Sequence, residues 1–192
     1  LIVKEVAPKH GFHATFMPKP VVGDNGSGMH THQSLFTGGR NRYYDADDKW
    51  HRSEVGKAFI AGQLRHAREI TAVFAQWVNS YKRLVPGYEA PVYVAWSQRN
   101  RSALIRIPLY KPGSENATRA ELRCPDPACN PYLTFACLLH AGLEGIEKGY
   151  ELPDPMETNL YHLTPEQRRE QGIVSLPETL GEAIDELSRS EL

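Results

Sequence analysis

The chain has 192 residues, and its 41% hydrophobic content is enough to bury one sizeable core, which excludes a disordered polymer. With 22 Lys+Arg against 23 Asp+Glu and a net charge of −1, it has no overall field to draw it to nucleic acid or an anionic membrane surface, so any basic site has to be local. Its longest apolar runs, such as Ile70 to Val78, fall far short of the roughly 20 residues a bilayer requires.

The first element expected is the end of a helix, Leu1 to Lys9, stopped at His10-Gly11. Phe12 to Phe16 reads as a strand closed by Met17-Pro18-Lys19-Pro20, and a glycine-rich loop follows. Met29 to Phe36 alternates as a strand, Thr37 to Asn41 is a turn, and an Asp-rich loop leads to a helix N-cap at Ser53. From there to Asn79 the apolar spacing of Phe59, Leu64, Ile70, Val73, Phe74 and Trp77 predicts one long helix. Strands are expected over Val92 to Trp96, Ser102 to Ile107 and Thr118 to Arg123, with a turn at Lys111 to Asn116. Asn130-Pro131 is a strong helix start, and the amphipathic helix runs Tyr132 to Gly149. The tail from Glu151 is acidic and reads as helical surface. The pattern predicts an α+β fold, an antiparallel β-sheet with packed helices. Cys124, Cys129 and Cys137 form no C-x-x-C pair and fit reduced thiols, so a cytoplasmic protein is expected. The chain begins without Met and inside a helical pattern, and is read as a piece of a longer protein.

Three constellations carry possible chemistry. In Met29-His30-Thr31-His32-Gln33-Ser34 the strand period of two puts His30, His32 and Ser34 on one face, either two imidazoles converging on a metal or a solvated strand surface. Just upstream, Gly23-Asp24-Asn25-Gly26-Ser27-Gly28 permits close backbone approach to a ligand, or forms a plain hairpin loop; it is neither a Walker loop nor an EF-hand. Between Gln98 and Arg123 lie Arg99, Arg101, Arg106, Lys111, Arg119 and Arg123 against Glu115 and Glu121, a basic stretch in a near-neutral chain. Alternation places Arg119, Glu121 and Arg123 on one face, with Ala120 and Leu122 turned to a core. This could be an ion-pair ladder, or a metal-binding Glu beside phosphate-binding arginines. Arg101 and Arg106 have opposite parity, so a regular strand would separate them. The third constellation is Asn79 to Pro91, where two prolines and Gly87 frame a loop presenting Arg83 and Glu89, a surface connection or an active-site flap.

The segments Lys19 to His32, Asn79 to Pro91, Arg99 to Pro108, and Glu121 to Pro127 with Asn130-Pro131-Tyr132, in that order, closely resemble the bacterial type of glutamine synthetase. The resemblance implies that residues 1–192 are part of that family's catalytic domain, of the glutamine synthetase/guanido kinase fold, without its amino-terminal β domain, early catalytic strands and final helices. It implies ATP-dependent ligation of ammonia to the γ-carboxylate of L-glutamate through γ-glutamyl phosphate, with Mg²⁺ or Mn²⁺ as cofactor. His30 and Glu121 then resemble metal ligands. Asn25 and Gly26 resemble the glutamate loop, while Arg83, Arg123, Glu89 and Arg101 resemble glutamate contacts. His32, Ser34, Arg101, Arg106 and Arg119 resemble ATP contacts. Glu89 matches the flap glutamate that takes a proton from ammonium, and Arg101 the arginine that neutralises the transferring phosphoryl group.

The loop Lys111 to Ala117 departs in length from familiar forms, and the remaining metal glutamates of the family have no counterpart here, so an incomplete metal site and an inactive fragment are expected. A homo-dodecamer of two stacked hexamers is implied for the full-length protein, with small molecules rather than nucleic acid or membrane as partners. Tyr161 stands near the position some relatives adenylylate and is expected to be unmodified. The alternatives are a γ-glutamylamine ligase of the same superfamily, a non-catalytic relative, and a His-x-His metal hydrolase, for which no nucleophile or zinc signature is present.

Overall fold

A computed structural model describes residues 1–192. Its main sheet has four strands in the order β1 (Thr31–Gln33), β6 (Ala120–Leu122), β5 (Ala103–Arg106) and β4 (Tyr93–Ser97). The pairings of β6 with β1 and with β5 are antiparallel, as the α+β reading expects, whereas β4 and β5 run parallel. Parallel neighbours normally need a long crossover. Here residues 98–102 alone join the two strands, and Ala103 pairs with Tyr93. Phe36–Thr37 (β2) and Arg40–Asn41 (β3) form a separate hairpin. Its central Gly38 and Gly39 have φ of 56° and 77°, the left-handed pair that a type I′ turn demands.

The helices are α1 (Ile2–Val6), α2 (Glu54–Arg65), α3 (Thr71–Phe74), α4 (Val78–Arg83), α5 (Pro131–Lys148), α6 (Pro165–Glu170) and α7 (Leu180–Ser188). Helix α2 starts where Ser53 accepts a hydrogen bond from the Gly56 N–H. Helix α5 starts where the Asn130 side chain accepts from Tyr132 and Leu133 ahead of Pro131, and ends at Gly149 with φ 64°. None of the helices is long and apolar enough to cross a membrane.

Two expectations are corrected. Phe12 to Phe16 forms no strand; the segment follows the 3₁₀ turn Ala7–His10 as irregular, largely exposed chain. The long helix over 53–79 is three helices. Its periodicity is real, but residues 66–70 form a turn between α2 and α3, and after α3 tertiary partners take the carbonyls that would continue it: Phe74 O accepts from the Asp126 N–H at 3.2 Å and Val73 O from the Thr134 hydroxyl at 3.4 Å. A new helix then begins where the Ser80 hydroxyl accepts from the Trp77 N–H.

Helices α2 and α5 cross at backbone contact, and α2 also packs on β5. A Cβ on Gly145 would stand 2.1 Å from the Ala58 carbonyl oxygen and one on Gly62 2.1 Å from that of Ala141, so only glycine allows this approach. The buried Gln63 of α2 links three elements, donating to Leu138 O at 3.0 Å and to the Gln33 side chain at 2.6 Å. Ala120 and Leu122 turn to the core, leaving Glu121 on the opposite face, as alternation requires. The apolar packing behind the sheet therefore fixes the polar face in front of it.

Candidate active site

Glu121 is the centre of that polar face. It is 3% exposed, at the middle of β6, with Arg106 of β5 and His32 of β1 as its cross-strand partners. One carboxylate oxygen lies 2.9 Å from His30 Nδ1 and 3.6 Å from Arg123 Nε, and the other lies 2.5 Å from Arg106 Nη2. Burying a carboxylate this deeply is costly unless cationic and hydrogen-bonding groups surround it, as His30, Arg106 and Arg123 do here. Burial, and after it the Arg123 charge, lowers the pKa of the His30 imidazole from its ordinary value, which favours the neutral form that a metal ion requires of a histidine ligand.

The pair suits a divalent ion. Ligands on adjacent corners of an octahedron with bonds of about 2.1 Å stand about 3 Å apart, and His30 Nδ1 and Glu121 Oε1 are 2.9 Å apart. Imidazole with carboxylate fits Mn²⁺ at least as well as Mg²⁺. No cluster of three or more His, Cys, Asp or Glu side chains is present, so these residues supply two corners of a site and no more.

A cavity of about 340 Å³ adjoins this pair, lined by Asn25, Gly26, Gly28, His30, Arg83, Glu89 and Arg123 among others. Arg83, at the end of α4, is 5% exposed, and its guanidinium donates to Cys124 O at 2.7 Å and to Arg123 O at 3.1 Å. The glycine loop packs directly on it: a Cβ on Gly28 would lie 2.6 Å from Arg83 Nη2, and one on Gly26 2.4 Å from Pro18 O. Both glycines are therefore needed for close approach, which is what the glycine-rich sequence suggests.

The flap reading places Glu89 between this cavity and a second of about 300 Å³, lined by Asn25, Gly87, Tyr88, Glu89, Arg101 and Tyr161. Gly87 has φ 87°, supplying the bend. The parity problem of Arg101 and Arg106 disappears because Arg101 stands outside the strand, in the return segment before β5. The Arg123 guanidinium donates to the Arg101 carbonyl and ties that segment to β6. On the outer side, Arg119 Nε donates to His32 Nδ1 at 3.1 Å and borders a third cavity of about 240 Å³ with Tyr110 and Lys111. Ser34 is exposed just beyond β1. The structure thus groups the predicted residues into three adjoining patches around β1, β6 and β5.

Sequence reasoning passed over several neighbours. Lys19 lines the first cavity and lies 4.6 Å from the centre of the Tyr88 ring. Glu157 accepts from the Gln98 N–H at 2.8 Å, and Asn100 donates to Met156 O at 3.1 Å, which pins the Arg101 segment to the chain after Pro153. These contacts span more than fifty residues, and no local pattern announces them.

Residues 1–192 match the family described as "Glutamine synthetase, catalytic domain". The chain belongs to the glutamine synthetase catalytic-domain family. It is 55% identical over 190 residues to the glutamine synthetase of Methanosarcina mazei, with 99% of this chain and 42% of that protein covered. It is 56% identical over 191 residues to the glutamine synthetase of Mycobacterium tuberculosis strain H37Rv, with 100% and 43% covered. The solved structure described as "Apo GmaS without ligand" superimposes with a TM-score of 0.82 at 36% identity, covering 99% of this chain and 42% of that one. The chain therefore spans well under half the length of these glutamine synthetase relatives.

Proposed function

We propose that the full-length protein containing this chain joins ammonia to the γ-carboxylate of L-glutamate at the expense of ATP, through γ-glutamyl phosphate. The observation that carries the reading is the position of Glu89, which lines both the cavity of His30, Arg83 and Arg123 and the cavity of Arg101. One wall therefore serves a substrate carboxylate, a phosphoryl group and an amine.

Arg83 and the loop of Asn25 and Gly26 hold glutamate by its α-carboxylate end, and Arg123 directs the γ-carboxylate. His32, Ser34, Arg106 and Arg119 receive the nucleotide. His30 and Glu121 would hold a divalent ion, which neutralises phosphate charge while it is bound. The γ-carboxylate oxygen attacks the terminal phosphorus and ADP leaves. Arg101 carries a fixed positive charge to the phosphoryl oxygens as negative charge develops there, and needs no solvent reorganisation to do so. Glu89 then accepts a proton from ammonium. The freed ammonia attacks the acyl carbon, and phosphate departs with the oxygen it gained, taking up the second proton that the added nitrogen sheds as it becomes the amide. By covering the cavity mouth, the Glu89 loop keeps water from competing for the acyl phosphate.

Identity with glutamine synthetases along the whole chain supports ammonia as the nucleophile. The test is phosphate release by the full-length protein with Mg-ATP and glutamate, with and without ammonia. Ammonia-dependent turnover that is lost in Glu89→Ala and Arg101→Ala is expected; turnover with an amine and none with ammonia would overturn the reading. Assembly into stacked hexamers is part of the same proposal, tested by sedimentation of the full-length protein.

A further inference from the structure

We propose that Tyr161 is a positioning residue for the Glu89 loop, gripping the backbone on both sides of Glu89 with one hydroxyl. The Tyr161 oxygen stands 3.0 Å from the Tyr88 carbonyl oxygen and 3.1 Å from that of Ala90, so its O–H is shared between the two. Between Pro86 and Pro91 the backbone makes no other hydrogen bond to the rest of the molecule. Tyr88 and Glu89 are exposed, and Gly87 supplies a bend with little restraint of its own. A loop of this kind is held in one place by its few tertiary ties.

The mount of Tyr161 is firm. Its ring packs on Tyr93 with centroids 5.8 Å apart, and the Arg168 guanidinium covers the Tyr93 ring at 4.8 Å. The N–H of the fully buried Leu160 donates to Ser102 Oγ at 3.1 Å, and the Tyr161 N–H donates to the Asn159 side chain at 3.1 Å. The same stretch is bound to the Arg101 segment through Glu157 and Asn100. Residues 156–161 thus form a strap with one hold on the Arg101 segment and the other on the Glu89 loop. The spacing between the proton acceptor and the phosphoryl-binding arginine is set by this strap together with the Arg123 tie from the sheet to the Arg101 carbonyl. The inference rests on the proposed function for its kinetic consequence and on geometry alone for the grip.

Tyr161→Phe in the full-length protein removes the hydroxyl and keeps the ring packing. The rate of cleavage within residues 87–90 under limited proteolysis, which reads opening of the loop, is expected to rise by up to about tenfold, the worth of one net hydrogen bond, with cleavage elsewhere unchanged. KM for ammonia is expected to rise by a similar factor, with KM for glutamate and ATP unchanged, and ammonia-independent phosphate release should increase. Unchanged cleavage at 87–90 overturns the grip. Faster cleavage with ammonia KM and phosphate leakage unchanged overturns the positioning role, as does an equal fall in every kinetic parameter accompanied by a lower melting temperature. A wild-type protein without ammonia turnover would sink the proposed function instead, and the proteolysis measurement would still decide the grip.

Discussion

Replacing Gly28 by alanine tests whether the glycine loop and Arg83 form one substrate-holding unit. The added methyl would lie 2.6 Å from Arg83 Nη2, so the guanidinium has to retreat by about 0.8 Å to reach ordinary contact. A surface arginine would do so freely, but Arg83 is 5% exposed and its Nη2 donates to Arg123 O at 3.1 Å, with little length to spare before the bond is lost. Loss of one hydrogen bond from a charged donor costs about 1.5–3 kcal/mol. Taken as glutamate affinity, this is a rise of about tenfold to a hundredfold in KM. The assay is initial-rate kinetics of the full-length protein with glutamate varied at saturating Mg-ATP, and KM for ATP is expected to stay within about twofold. Gly181→Ala is the control, because its Cβ meets nothing nearer than Thr179 Oγ1 at 3.9 Å. An unchanged glutamate KM in Gly28→Ala, with the control also unchanged, would refute the assignment of Arg83.

Two further substitutions address the metal pair and the scaffold. Glu121→Gln removes the charge facing His30 and Arg106, so Mn²⁺ affinity of the full-length protein, read by titration calorimetry, is expected to fall by about tenfold or more, while an unchanged affinity would remove Glu121 from the metal site. Gly145→Ala places a methyl 2.1 Å from the Ala58 carbonyl oxygen at the crossing of α2 and α5. It is expected to lower unfolding free energy by about 1–3 kcal/mol in denaturant titration, and a neutral result would mean that the crossing is looser than the geometry requires.

Much of this was legible locally. The caps at Ser53 and Asn130 lie within a few residues of the groups they satisfy, so sequence spacing reveals them. Alternation around Glu121 was equally readable, since its neighbours Ala120 and Leu122 had to face the core. The broken helix was not legible, because the groups that stop it, Asp126 and Thr134, are far along the chain. The parallel pairing of β4 and β5 was hidden for a related reason, since the return of residues 98–102 depends on Asn100, Glu157 and the chain beyond Pro153. The candidate site residues were named by resemblance in motif; the residues that hold those side chains in place, Tyr161 and Glu157 among them, emerge only from three-dimensional contacts.

The most direct test of the central claim follows the oxygen atoms of the γ-carboxylate. Glutamate labelled with heavy oxygen at that carboxylate is supplied with Mg-ATP and ammonia to the full-length protein, and the released phosphate is examined by mass spectrometry. Formation of γ-glutamyl phosphate requires one labelled oxygen to leave with each phosphate. Phosphate carrying no label while glutamine accumulates would show that the γ-carboxylate never attacks ATP, and would contradict the proposed roles of Arg101 and Glu89 together.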